Sequence, residues 1–412
     1  MRRVVITGIG TISPIGNNKD EIVEAMKTSK CGISEITLYD TTDRIVKLAG
    51  EIKDYNPDEH FSKKDQRRLD RVNQFGIIAA RRALFDAGLD KDYLTNERVG
   101  VYCASGIGGI STIENEHSRG LERSFDRVSP YFIPMAIVNL TAGHIAIEMN
   151  AHGSCQGIVT ACASATNALG EAYRHIKDGY ADMMFAGGSE AAITELSIGG
   201  FTSMKALTTS TDSNRASIPF DKERSGFVMG EGATILILEE LEHAINRGAK
   251  IVGEIAGYSD TCDANHITAP CETGEYVALA MEQSIRDAGI EPKDIDYINA
   301  HGTSTHLNDK IETTAIKRVF KEAYKDIPVS SSKSQIGHLL GASGSTEVAM
   351  SVFAMNEGIV PPTINYAVPD EECDLNLVTN KPAKADIRYF LKNSIGFGGH
   401  NASIVIKRWE NK

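Results

Sequence analysis

No uninterrupted apolar run in the 412 residues approaches the roughly 18 to 20 that a membrane-spanning helix needs. The basic opening Arg2-Arg3 is followed by too short an apolar stretch for a signal peptide. No Cys-x-x-Cys pair occurs among the seven scattered cysteines, which argues against a structural zinc site and a disulfide framework. No metal is expected, and a reducing cytoplasm suits such a chain. Basic residues are outnumbered, 43 against 55 acidic, and the net charge of −12 argues against nucleic acid as a partner. Low-complexity linkers are missing as well. What is present, 42% hydrophobic and 24% charged residues, is the composition of a soluble globular chain. Its length allows a large core in two domains or one duplicated domain.

Apolar runs with strand character alternate with helical periodicity throughout. Strands are expected at 4–8, 99–104, 181–186, 233–238, 251–255, 295–299, 329–331 and 403–406, and helices at 20–28, 65–87, 241–247, 275–288, 309–324 and 346–355. This order predicts an α/β fold with largely parallel sheets. The second part repeats the element order of the first without a residue-level repeat, and the boundary is placed near 250, giving halves 1–250 and 251–412. The turn Ser105-Gly106-Ile107-Gly108-Gly109 could cradle phosphate, but it matches no nucleotide fingerprint.

The stretch Gly157-Ile-Val-Thr-Ala-Cys162-Ala-Ser-Ala-Thr166 reads as a strand ending at Cys162 with a helix opening behind it. Ala165, Ala168, Leu169, Ala172 and Ile176 recur at the period of one helical face, and Gly179 supplies a stop. A free cysteine is usually a small buried hydrophobe. At a helix N-terminus, however, unpaired N–H groups and the macrodipole favour thiolate, the nucleophilic form, so Cys162 is expected to be ionised near neutrality.

Two later loops each present a histidine beside glycine after a strand: Asn299-Ala-His301-Gly-Thr-Ser-Thr305 and Lys333-Ser-Gln-Ile-Gly-His338-Leu-Leu-Gly341. Single histidines are mostly surface or core residues, but strand ends of α/β sheets are where ligands bind. A third loop, Asn393-Ser-Ile-Gly-Phe397-Gly-Gly-His-Asn401, offers either a flexible gate or backbone N–H groups for an oxyanion. A basic island, residues 63–71, carries five basic side chains against two acidic ones. It is either a solvated helix face or a docking patch for an acidic partner.

Taken together, Thr160-Ala-Cys-Ala-Ser164, the two histidine loops and Asn393-Ser-x-Gly-Phe-Gly-Gly399 resemble, in order, the motifs of the elongating β-ketoacyl-acyl-carrier-protein synthases. The resemblance runs from Val4 to Trp409, and Asp263-Ala-Asn-His-Ile-Thr-Ala-Pro270 favours the type II members over type I. It implies a thiolase-like fold of two similar halves in five-layered α-β-α-β-α packing, and a homodimer. It implies no cofactor beyond the phosphopantetheine that arrives on the acyl-carrier protein. Cys162 would take the acyl chain. His301 and His338 would stabilise the anion left when malonyl-carrier protein loses CO₂, supported by Lys333 and Glu347. Cys162 and Phe397 would form an oxyanion hole, with Phe397 also gating. Thr268, Thr303 and Thr305 would bind the phosphopantetheine arm. Ile107 would end the acyl pocket, and Phe132 would approach it across the dimer interface. Lys64, Arg67 and Arg68, with Arg127 and Lys205, would dock the acidic carrier protein.

Departures from the family pattern fall at His306, Leu307-Asn308, Ser332, Gln335, Ile395 and His400, and none removes a catalytic atom. A degradative thiolase needs a second cysteine in the last glycine loop, where this chain has none. Initiating synthases carry Asn where this chain has His338. A cysteine hydrolase would leave the second histidine idle, and a non-catalytic partner subunit would have lost Cys162. A ketosynthase of the same fold serving polyketide or another acyl pathway is the remaining alternative.

Overall fold

In the computed structural model, which describes residues 2–94 and 97–410, the same order of elements is built twice. The outermost residues of the expected halves, Met1, Asn411 and Lys412, lie outside the described residues. The first pass is β1 (Val4–Ile12), α1 (Arg71–Asp86), β2 (Val99–Ala104), α2 (Leu140–Met149), β3 (Cys155–Ile158), α3 (Ser164–Lys177), β4 (Met183–Glu190) and β5 (Gly232–Glu240). The second is β6 (Gly253–Cys262), α4 (Glu275–Asp287), β7 (Tyr297–Asn299), α5 (His306–Phe320), β8 (Val329–Ser330), α6 (Ser343–Asn356), β9 (Tyr389–Gly396) and β10 (His400–Lys407).

The strands pair in the order β3-β2-β4-β5-β1 in the first pass and β8-β7-β9-β10-β6 in the second, the same pattern each time. A short antiparallel contact between β1 and β6, from Val4↔Ile255 to Ile6↔Gly253, joins them into one ten-stranded sheet. Four neighbouring pairs are parallel and five antiparallel, so the sheet is mixed rather than largely parallel. The cause is local. A tight hairpin joins β9 to β10, and a hairpin can only produce antiparallel neighbours.

Alternation along β5 shows how the layers form. Leu236 and Leu238 enter one core with Ala168 and Leu169 of α3 and Val348 and Val352 of α6. Ile235 and Ile237 enter another with Phe75 and Ala79 of α1 and Ile145 of α2. On the far side, Ile298, Leu391 and Val405 pack with Met281 of α4 and Ile316 of α5. Helix pair, one half of the sheet, helix pair, the other half, helix pair follow in five layers. Each fully buried Leu or Ile contributes about 1.5–3 kcal/mol of apolar transfer. Helix α6, in the central layer, is buried from Ser343 to Met355, which explains its lack of a polar face.

The expected helix over 65–87 is instead two elements, Lys63–Gln66 and Arg71–Asp86, broken by Asp70. Asp70 caps α1, accepting from Val72 N–H at 3.0 Å, while the Asn73 side chain accepts from its own N–H at 3.1 Å. Strand β9 escapes the sequence reading altogether. Among the described residues, no helix is long and apolar enough to cross a membrane.

Candidate active site

Strand β3 ends at Ile158, four residues before Cys162, because Val159 and Thr160 leave the sheet. The cysteine lies in a single 3₁₀ turn, Ala161–Ala163, directly ahead of α3. Ala161 has φ +50°, a left-handed conformation that costs a residue with a Cβ about 1 kcal/mol or more. Ser164 holds the turn: its Oγ accepts from Thr160 N–H at 2.8 Å and donates to the Ala161 carbonyl at 2.6 Å. Gly396 packs beside it so closely that a Cβ there would stand 2.8 Å from the Thr160 carbonyl oxygen and 3.2 Å from the Cys162 nitrogen.

Cys162 keeps partial exposure because one side of it opens on a cavity of about 300 Å³. Protein nevertheless encloses the sulfur. Burial pushes the thiol up to about 12, against the opposing pull of Lys333 and the Phe397 N–H that faces it. The thiolate expected from the helix N-terminus is thus not the resting form. Desolvation outweighs the helix end, because the turn seats Cys162 against an apolar cluster that includes Leu340 and Met229.

The same cavity is lined by His301, His338, Thr268, Thr303, Thr305, Lys205 and Phe397. The two imidazole rings stand 5.4 Å apart, edge to face. Both are held well below the usual histidine range by burial and then by the Lys333 ammonium, so both are neutral. Lys333 Nζ lies 3.4 Å from His301 Nδ1 and donates to the His301 carbonyl at 2.7 Å. An ammonium can only donate, so Nδ1 accepts and Nε2 carries the proton. At His338, Nδ1 shares a 2.8 Å hydrogen bond with Ser343 Oγ, while Nε2 is buried without a hydrogen-bond partner among the described residues. A buried ring nitrogen left free in this way is costly unless a ligand completes it.

Carboxylates hold the loops. Glu312 on α5 accepts from the N–H groups of His301 and Gly302, each at 2.8 Å, and Asp309 accepts from Thr303 N–H at 3.0 Å. Glu190, at the end of β4, accepts from Gly106 N–H at 2.6 Å and Gly341 N–H at 2.9 Å. It thereby ties the glycine turn to the second histidine loop. Lys333 and Glu347 form a fully buried ion pair of 2.5 Å. Sequence reading missed Glu190, Glu312 and Phe227, whose ring meets His338 edge to face at 5.2 Å between centroids. Only Glu190 left a signal, an acid closing an otherwise apolar glycine-containing strand.

Other expected residues are placed as follows. Ile107 packs against the same apolar cluster as Cys162 but does not line the cavity. Phe132 opens a short helix, Phe132–Ala136, and does not line the cavity. Thr303 and Thr305 share a 2.9 Å hydrogen bond between their hydroxyls. Lys64, Arg67, Arg127 and Lys205 are exposed, and Arg68 lies over the Tyr131 ring at 4.9 Å. Arg71 leaves the basic island, since it is drawn into a 2.6 Å ion pair with buried Glu231. A larger hollow of about 1080 Å³, near Arg82 and Phe85, contains none of these residues. Among the described residues, no group of three or more His, Cys, Asp or Glu side chains is arranged to hold a metal ion.

In a duplicated five-layered fold, a cysteine turn from one half and two neutral imidazoles from the other thus face one cavity. The chain belongs to the beta-ketoacyl synthase family: residues 1–244 match its N-terminal domain and residues 252–367 its C-terminal domain. It is 48% identical over 409 residues to the 3-oxoacyl-[acyl-carrier-protein] synthase 2 of Staphylococcus aureus, covering 99% of both chains. To the protein of the same name from a Synechocystis species it is 45% identical, again covering 99% of both. A solved beta-ketoacyl synthase from Burkholderia phymatum superposes with a TM-score of 0.92 at 32% identity, covering all of both chains. So does a type II PKS ketosynthase solved with its acyl-carrier protein, with a TM-score of 0.91 at 35% identity over 99% of this chain and all of that one.

Proposed function

We propose that the chain is a 3-oxoacyl-[acyl-carrier-protein] synthase, an acyltransferase that elongates fatty acyl chains by decarboxylative Claisen condensation. The observation that carries this reading is that Cys162, from the half 1–250, and His301 and His338, from the half 251–412, line one cavity. In the first step the Cys162 sulfur attacks the acyl thioester on the carrier protein, and the thiol proton leaves with the departing phosphopantetheine sulfur. Backbone N–H groups of Cys162 and Phe397 support the oxyanion. In the second, malonyl-carrier protein occupies the cavity and loses CO₂, and negative charge moves onto its thioester oxygen. The Nε2–H groups of His301 and His338 stabilise that charge, each donor being worth roughly 3–4 kcal/mol of barrier. The carbanion then attacks the acyl-cysteine carbonyl, the C–S bond breaks, and Cys162 recovers a proton from solvent. No step calls for a redox or metal cofactor.

Thr268, Thr303 and Thr305 bind the phosphopantetheine arm, Phe397 gates the acyl-enzyme, and Ile107 limits chain length. Lys64, Arg67, Arg68, Arg127 and Lys205 dock the acidic carrier protein in the cytoplasm. The chain works as a homodimer, in which Phe132 approaches the partner's acyl pocket. Identities of 45–48% to the named synthases, against 35% to the polyketide ketosynthase, favour fatty-acid elongation. Purified protein given acyl- and malonyl-carrier protein should release CO₂ and a 3-oxoacyl product. A Cys162→Ala variant that still condenses would overturn the reading.

A further inference from the structure

Behind the two histidines lies a second buried lysine that none of the steps above uses. Lys392 is in β9, where it pairs in register with Asn299 of β7, and its side chain is completely buried. Its ammonium donates to the Asn393 carbonyl and stands 2.8 Å from Glu347 Oε2. The contact with Oε2 is an ion pair by distance, and the directed hydrogen bond goes to the carbonyl. The other carboxylate oxygen, Oε1, takes Lys333 Nζ at 2.5 Å. One carboxylate is therefore held between two ammonium groups, and the nearer of these to the site also fixes His301.

Resting on the condensation reading above, we propose that Lys392 is a positioning residue that acts through Glu347 and Lys333 to hold His301 as an Nε2–H donor. A buried carboxylate with a single cation is free to turn toward that cation, and a small rotation would carry Lys333 away from Nδ1. With a cation on each side it has one stable orientation. The titratable groups around Lys392 are Glu347 on α6, Lys333 ahead of it, Glu312 on α5, and the two neutral imidazoles. Burial lowers Lys392 to about 8, with Lys333 adding to the fall and Glu347 opposing it. Its charge is therefore present below that pH and lost above it.

The test separates the half-reactions. Lys392→Met keeps the stem and removes the charge. Acylation of Cys162, followed by mass, should be unchanged, while decarboxylation of malonyl-carrier protein should fall roughly ten- to hundredfold, the scale of a misplaced catalytic group. In the unaltered enzyme, decarboxylation alone should decline as pH rises through about 8, and Lys392→Met should lack that decline. Adding Glu347→Gln to Lys392→Met should cost little more than either change alone. Decarboxylation by Lys392→Met at the unaltered rate, or an unaltered enzyme with no alkaline decline in that step, would overturn the role of Lys392. That wild-type measurement decides the matter even where the variant does not fold. Absence of acyl transfer to Cys162 in the unaltered enzyme would instead sink the condensation reading beneath it.

Discussion

At the scale of single residues, the site is governed by desolvation. The two histidines are kept neutral by burial and Lys333, which suits donors that must present N–H to a developing anion. Condensation should therefore hold its rate as pH falls through 6.5, with the acid decline lying well below; a decline centred near 6.5 would contradict this. The Cys162 thiol is displaced the other way, so alkylation of the free enzyme by iodoacetamide should keep accelerating as pH rises and show no plateau near neutrality. Cys162, His301 and His338 were legible in the sequence because each sits beside small residues in a turn or loop that follows a short strand. Glu312 and Lys392 were not, and Glu190 showed only as an acid closing a strand. A charged residue in a strand or helix reads as solvated unless its partner is known, and their partners lie far along the chain or on backbone N–H groups.

At the scale of elements, strand interiors were readable and their ends were not. Val159 and Thr160 are β-branched and extend the apolar run to the nucleophile, yet β3 stops at Ile158, and the left-handed Ala161 starts a turn no periodicity announces. Asp70 broke an expected helix because a capping aspartate is indistinguishable from a surface one until its N–H partners are seen. That break changes the basic island. Arg71 turns inward to Glu231, while Lys64, Arg67 and Arg68 have no ion-pair partner among the described residues. Basic side chains of this kind, on a short helix and the turn that follows it, are suited to steering an acidic partner. Reversing two of them, Arg67→Glu with Arg68→Glu, should raise KM for carrier-protein substrates severalfold with kcat little changed, more so at low salt. An unchanged KM would make the segment a solvated face.

At the scale of the whole molecule, the repeated element order was visible in the chain, but the direction of its strands was not. Periodicity reports burial, and β4, β5, β9 and β10, each with an antiparallel neighbour, are buried on both faces like purely parallel strands. The duplication places the β3–α3 turn of one half opposite the β7 and β8 loops of the other, which is how a thiol and two imidazoles come to share one cavity. Strand β3 ends the sheet with an unpaired edge, and Leu121, Phe125, Ile133, Ile147 and Val159 are exposed. Light scattering of the purified chain should accordingly give a dimer mass; a stable monomer would remove the partner role of Phe132. The central claim is that one sulfur and two imidazoles serve the two halves of one condensation from the same cavity. Its most direct measurement is the acyl mass on the Cys162 peptide before and after malonyl-carrier protein is added, in the unaltered protein and in His301→Ala with His338→Ala. The account predicts that both proteins load the acyl group and only the unaltered one discharges it with loss of CO₂. Discharge at equal rates, or loading at any residue other than Cys162, would contradict it.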